Sequence, residues 1–286
     1  MRGRRTWDRS PARQVVGAGP LGYVFLGFVM ATVLFPTFVA LTTSLKRAGD
    51  VYRSPAGWLP RVVDFANYVA IFQRVPLGRA FGNSVAIAGG ATALTLVCAL
   101  PAGYALARYT FPGRRAVLLA ILSIIMFSPI VVIIALFQIM ASYGLLNHWY
   151  SVSVADCAFA LPFSIWIMMS YFQTIPRELD EAGEVDGASP LRVFWQLLLP
   201  VALPGVATVL IFAFVQAWND FLLANTLLTN QAEFPLPVTI FDFVAQHGVQ
   251  WQYLTASVVV ASLPALVLFM AVQRMLVRGL TAGALK

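Results

Sequence analysis

Residues able to do chemistry are scarce in this chain of 286 residues, and they stand far apart. The two histidines, His148 and His247, belong to no H-E-x-x-H metal pair, and no G-x-S-x-G nucleophile is present. Cys98 and Cys157 lack metal-ligand spacing and fall inside apolar stretches, where they read as free, buried thiols. A phosphate-cradling loop needs G-x-x-x-x-G-K-[ST], yet the only lysines, Lys46 and Lys286, follow Leu45 and Leu285. The chain is therefore expected to be no enzyme, to hold no metal or cofactor, and to hydrolyse no ATP. One polar insert interrupts this sparseness, between Gln173 and Pro200. There Glu178, Asp180, Glu181, Glu184 and Asp186, five of the twelve acidic residues, fall within nine positions. Acids that dense make either a solvated loop or a surface that another protein pushes and pulls.

What must position this insert is a membrane body. The chain is 59% hydrophobic and 11% charged, against about 45–50% and about 25% for a soluble domain. Its net charge is +7, but the basic residues flank apolar spans, so they fit topology better than nucleic acid. Six segments reach the ~20 residues needed to cross ~30 Å of hydrocarbon: 21–43, 84–107, 116–140, 152–172, 201–223 and 255–275. The first follows five arginines, as in a signal peptide, but it is too long for a signal core and no small-x-small site follows. None of the spans alternates as a membrane barrel strand would. The expected class is an all-α membrane protein of six transmembrane helices. Its parts are a tail over 1–20, one six-span membrane body over 21–276 and a tail over 277–286.

Basic residues set the orientation. They gather at Arg2, Arg4, Arg5, Arg9 and Arg13, at Arg274, Arg278 and Lys286, and at Arg108, Arg114 and Arg115 between the second and third spans. Segments 141–151 and 224–254 contain none. Positive charge stays on the cytoplasmic side, so both termini and the insert over 173–200 are expected there. The long first external loop, 44–83, carries six basic residues, but loops of that length translocate with less regard to charge. Every span holds a proline (Pro36, Pro101, Pro129, Pro162, Pro204, Pro264). These make either kinks that let a bundle rock or the ordinary proline content of membrane helices.

The insert reads as helix, stop, helix. Thr174 and Pro176 mark a start, and Glu178, Asp180 and Glu181 favour the positive end of the dipole. Gly187 is the stop, Ser189 caps the next helix, and Pro190 takes its first position. Leu191, Phe194, Trp195, Leu198 and Leu199 then recur at helical spacing as an apolar stripe that would lie along the membrane surface until Pro200.

This pattern resembles the EAA motif of ABC importer permeases: Glu181-Ala182-Gly183, three residues, Gly187, nine residues, then Leu197-x-Leu199-Pro200. Gly183 replaces the usual second alanine, loosening the helix by about 1 kcal/mol, and Leu197 replaces isoleucine. Ile175-Pro176, Asp186-Gly187-Ala188, Ala217-Trp218-Asn219-Asp220 and the tail Arg278-Gly279-Leu280-Thr281-Ala282-Gly283-Ala284 are similar to the carbohydrate branch, in particular the smaller maltose-permease type of subunit.

The resemblance implies a cytoplasmic coupling helix between the fourth and fifth spans that seats on a separate ATPase, with Glu181, Ala182 and Gly183 as its docking face. Gly187 would supply the bend, with Asp186, Leu199 and Pro200 completing the coupling motif. Arg278, Gly279, Leu280 and Thr281 would reach between paired ATPase subunits. Implied partners are a second, related permease, an ATPase dimer carrying ATP and Mg, an extracytoplasmic binding protein and membrane lipids, with no nucleic acid. The implied place is a bacterial-type inner membrane. Implied cargo is a sugar, polyol or glycerol phosphate, and no sugar-contacting residue is singled out.

Asp156, Asp220 and Asn219 near the outer span ends either line a path or, in the plainer reading, cap helices or face interfacial water. Phe234, Phe241, Phe243, Trp251 and Tyr253 in the last external loop read equally as a contact for a binding protein or as an interfacial belt. A secondary transporter would show repeats with broken helices and midplane ion ligands, and neither is clear in the sequence.

Overall fold

Apolar side chains point outward over most of this molecule, the reverse of a soluble protein, because lipid and not water is the solvent. The computed structural model describes residues 20–53 and 57–283, with side chains as far as residue 275. The longer helices are α1 (Pro20–Ser44), α2 (Leu77–Arg108), α3 (Arg114–Ser123), α4 (Pro129–Ser142), α5 (Trp149–Thr174), α6 (Glu178–Val185), α7 (Leu203–Trp218), α8 (Leu236–His247) and α9 (Trp251–Gly283). Four of them (α1, α2, α5 and α9) are long and apolar enough to cross a membrane unaided. Two bent pairs raise the total to six if each is counted as one span: Arg114–Met126 with Pro129–Ser142, and Pro190–Val201 with Leu203–Trp218.

The third span is thus not the continuous helix expected over 116–140. It turns through 99°. The cause is local: a residue before proline is pushed out of the α region, and Ser128 is extended (φ −63°, ψ 130°), with Pro129 starting α4. The fifth span turns through 79° at Ala202, and Pro204 sits in the first turn of α7. Of the six span prolines, Pro36, Pro101, Pro162 and Pro264 are interior to helices; Pro129 and Pro204 begin them.

The centre is the seam between α2 and α5. A Cβ on Gly90 would lie 2.9 Å from Ser153 Oγ, and one on Gly103 would lie 2.6 Å from Met168 Cβ and 2.9 Å from Met169 N. Contacts at Gly90–Ser153 and Gly103–Met168 mean that the two helices run in the same direction. Small residues let backbones approach closely where water gives no driving force. Ser153 Oγ also donates to the carbonyl of Ile87 at 3.0 Å. α7 leans on this pair, with Gly205 against the ring of Tyr171, and α9 is tied to α7 by Trp218 Nε1 donating to the Ala261 carbonyl at 3.0 Å. α1 lies at the edge, packed on α9 with no residue of its apolar window buried.

At the end of the bundle away from the insert, Asn147 (φ 63°) accepts from Thr229 N, Thr229 Oγ1 and Asn230 N within 2.6–3.0 Å, locking two loops together. The segment between α7 and α9 contains α8, a helix that composition does not reveal. Of its aromatics, Phe241 and Trp251 face outward while Phe243 is buried, and Tyr253 receives Arg74 over its ring.

Candidate functional site

The polar insert is held at both ends of a short loop system. α5 ends at Thr174, whose hydroxyl turns back to the carbonyl of Tyr171, so it caps nothing downstream. Ile175 is buried, Pro176 follows, and α6 begins at Glu178 after Arg177, without a side-chain cap. The acids of the first turn instead meet the exposed N–H groups through the helix dipole.

α6 stops as its sequence demands. Gly187 has φ +74°; its N–H donates to the Glu184 carbonyl at 3.0 Å, and Ala188 N–H donates to the Gly183 carbonyl at 3.0 Å. That pair of bonds is a Schellman closure, which needs a left-handed residue where Gly187 stands. Ser189 Oγ accepts from Arg192 N at 3.4 Å, and Pro190 opens the return helix. Residues Val193–Leu198 are wound as a π-helix, a wider turn that shifts the side-chain register. The apolar stripe therefore splits: Phe194 and Leu198 are buried with Val193, whereas Leu191 and Trp195 are exposed.

Gly183 lies inside this turn. A Cβ there would come within 2.8 Å of Val193 Cγ2 and 2.9 Å of Leu197 Cδ1. It faces its own chain, unlike Glu181 and Ala182, which are exposed. Beside them Val185 is 88% exposed, an apolar side chain that motif matching passed over. Asp186 is an exposed helix cap, Pro200 is exposed, and Leu199 is half-buried.

Asp180 alone among the five acids is tied inward. Its Oδ2 meets Arg108 Nη2 at 2.8 Å, with side chains 18% and 8% exposed. Arg108 Nη1 donates to the Ile175 carbonyl at 3.0 Å. Burial pushes the Asp180 carboxyl above its ordinary value, and the Arg108 guanidinium is the strongest influence pulling it back. Around the pair, Tyr104 meets Phe172 edge-on at 5.7 Å and lies 5.1 Å from Phe194. Arg108 had been legible only as one more topological arginine; nothing in the linear sequence links it to a residue 72 positions on.

Other sequence candidates separate. Asp220 caps the turn Leu222–Leu227, accepting from Ala224 N at 2.9 Å and Leu223 N at 3.3 Å. Asp156 neither caps nor meets interfacial water: it is 2% exposed inside α5, with Oδ2 unpartnered. Cys157 is buried as expected, but Cys98 faces outward. Among the described residues no group of three or more His, Cys, Asp or Glu is placed to hold a metal. Side chains of Arg278, Gly279, Leu280 and Thr281 lie outside the described ones, as do residues 1–19.

Residues 99–282 match the family described as binding-protein-dependent transport system inner membrane component. The chain belongs to this family. Among relatives of this permease, the sulfoquinovosyl glycerol transport system permease protein SmoH of Agrobacterium fabrum is 34% identical over 93% of this chain and 94% of its own. The trehalose transport system permease protein SugB of Mycobacterium tuberculosis is 35% identical over 90% and 94%. In fold, the permease matches a chain from the crystal structure of a bacterial ABC transporter involved in the import of the acidic polysaccharide alginate. The TM-score is 0.78, at 24% identity over 90% of this chain and 95% of that one. The recognition drawn from the insert, an ABC importer permease of the carbohydrate branch, is borne out, and the permease is a multi-pass inner-membrane protein. The family match displaces the secondary-transporter alternative, although the broken third span is one feature that alternative calls for.

Proposed function

We propose that this permease forms half of the translocation path of an ATP-driven importer and takes its energy through α6 from a separate ATPase. Both termini and the insert then face the cytoplasm. α6 is the coupling helix, and Glu181, Ala182 and Val185 are its contact surface. The single observation that carries this is the exposed Val185 beside Glu181 and Ala182 on a helix closed at Gly187 and backed by the π segment. An apolar side chain held at the tip of an otherwise charged projection is what a protein partner buries. A second related permease would cover part of the apolar flank around α3 and α4, lipid would cover the rest, and Arg278, Gly279, Leu280 and Thr281 would reach the ATPase pair. ATP and Mg belong to that pair. A binding protein would deliver the substrate outside, near α8.

The names of SmoH and SugB favour a carbohydrate cargo, a sugar or a related polyol or glycerol conjugate. Mild solubilisation from native membranes is expected to retain the second permease and the ATPase, and a ligand screen on the co-encoded binding protein then names the cargo. Glu181→Lys and Gly187→Pro are each expected to abolish ATP-driven uptake while the chain stays inserted. Normal uptake by both variants would remove the coupling role from α6.

A further inference from the structure

Because Arg108 reaches both sides of the joint that precedes α6, we infer that it is a positioning residue: its guanidinium, by one hydrogen bond and one buried ion pair, locks the coupling helix and the cytoplasmic end of α2 into one rigid body. This rests on the coupling role proposed for α6 and says how a push on that helix enters the membrane.

The joint is short. Between the last turn of α5 and the first turn of α6 lie only Ile175, Pro176 and Arg177, and without a brace α6 swings about them. Arg108, the last residue of α2, crosses that gap from the side. One guanidinium nitrogen donates to the Ile175 carbonyl, before Pro176, and another stands 2.8 Å from Asp180 Oδ2, after it, as an ion pair outside hydrogen-bond geometry. The guanidinium is planar and rigid, so the bond to the Ile175 carbonyl fixes where its charge can meet the Asp180 carboxylate; an ammonium on a flexible stem has no such constraint. Both side chains are mostly buried, so water and salt screen the pair little.

The other attachments of α6 are apolar, and the core met by Leu179 is shared by α2, α5 and the return helix. Gly183 packs on the return helix, which leads through the 79° bend into α7, and Leu179 meets the apolar core. Glu178, Glu181, Glu184 and Asp186 are exposed, leaving Asp180 as the polar tie of α6 to α2. α2 and α5 are themselves fused by the contacts at Gly90 and Gly103. A load on α6 is thereby delivered to that central pair directly, and not only through its own chain ends.

The test uses the assembled importer with its ATPase, in a Cys98→Ser background, with nitroxide labels at Val97 on α2 and at Glu178 on α6. Val97 and Glu178 are both exposed. The label-to-label distance is measured by pulsed electron resonance without nucleotide and after trapping with ATP and vanadate. With Arg108 present the distribution is expected to be narrow and the same in both states. In Arg108→Gln and in the milder Asp180→Asn it is expected to broaden and to move on trapping, with the ATPase still bound. Arg108→Lys is expected to stay broad, and the exchanged pair Arg108→Asp with Asp180→Arg to recover part of the narrowing. A wild-type distance that shifts on trapping overturns the inference, as does an Arg108→Gln distribution as narrow as wild type. Absence of an ATPase from the wild-type assembly would instead refute the coupling role itself, so the two failures are separable.

Discussion

The seam between α2 and α5 and the joint beneath α6 are built from opposite materials. The seam has almost no polar chemistry. Gly90 and Gly103 remove side chains so that backbone meets side chain and backbone directly, over about 20 Å of helix. The joint is a single buried ion pair, one carbonyl and one close glycine contact. Dispersion accumulates over many atoms and is spoiled by one added carbon. A rigid guanidinium held by one carbonyl and paired with one carboxylate fixes an angle with few atoms. The contrast teaches that this permease has a body meant to move as a unit and a projection whose direction must be specified.

That contrast breaks most sharply at Gly103. A valine there would drive carbon into Met168 Cβ and the backbone nitrogen of Met169, neither of which can yield without separating the helices. Gly103→Val is expected to cost the upper end of the about 1–3 kcal/mol seen for overpacking, read as a lowered thermal unfolding midpoint in detergent. An unchanged midpoint would mean that the seam is not close-packed.

Gly183→Ala sharpens the comparison with a smaller change. Alanine gains about 1 kcal/mol of helix propensity, and on sequence grounds alone it should stabilise α6. The structure opposes that gain: Val193 is buried and stiff at χ1, though Leu197 can swing its methyl aside. Overpacking is expected to win, leaving a net destabilisation of about 1 kcal/mol or slightly less. Repeating the substitution with Val193→Ala should reverse its sign, since the obstructing methyl is then gone.

Gly183 also shows what the chain declares openly and what it conceals. Features set by a few consecutive residues were legible: the spans by their apolar length, the stop at Gly187 by its need for positive φ, the cap at Ser189 by its place before Pro190. Features set by packing were not. The break at Ser128–Pro129 was read as one more proline in a span, because a proline inside apolar sequence fits a kink and a helix start equally well. The split of the apolar stripe depends on a π turn, which hydrophobic spacing assumes away. Arg108 and Asp180 meet only because α2 and α5 lie side by side; alternation of the spans already makes the two run parallel, but which spans touch is set by small-residue contacts between them. The motif pointed to the right family, yet it treats Glu181, Ala182 and Gly183 as one face when an eight-residue helix must turn one of three neighbours inward.

Val185 gives the smallest effect on the fold and the cleanest test of what the projection is for. It touches little of its own chain, so Val185→Ser is expected to shift stability by no more than about 0.5 kcal/mol. If the side chain is buried by the ATPase, losing its two methyl groups removes most of an apolar contact worth about 1.4 kcal/mol, close to tenfold in affinity. Titrating purified ATPase subunit onto the permease in nanodiscs measures that directly. Weakened binding with an unchanged unfolding midpoint is the expected result, and it would separate the two regions: a body whose glycines govern stability, and a projection whose outward residues govern association. Equal affinity for wild type and variant would move the contact surface to Glu181 and Ala182 alone, leaving the exposure of an apolar residue at that tip without a purpose.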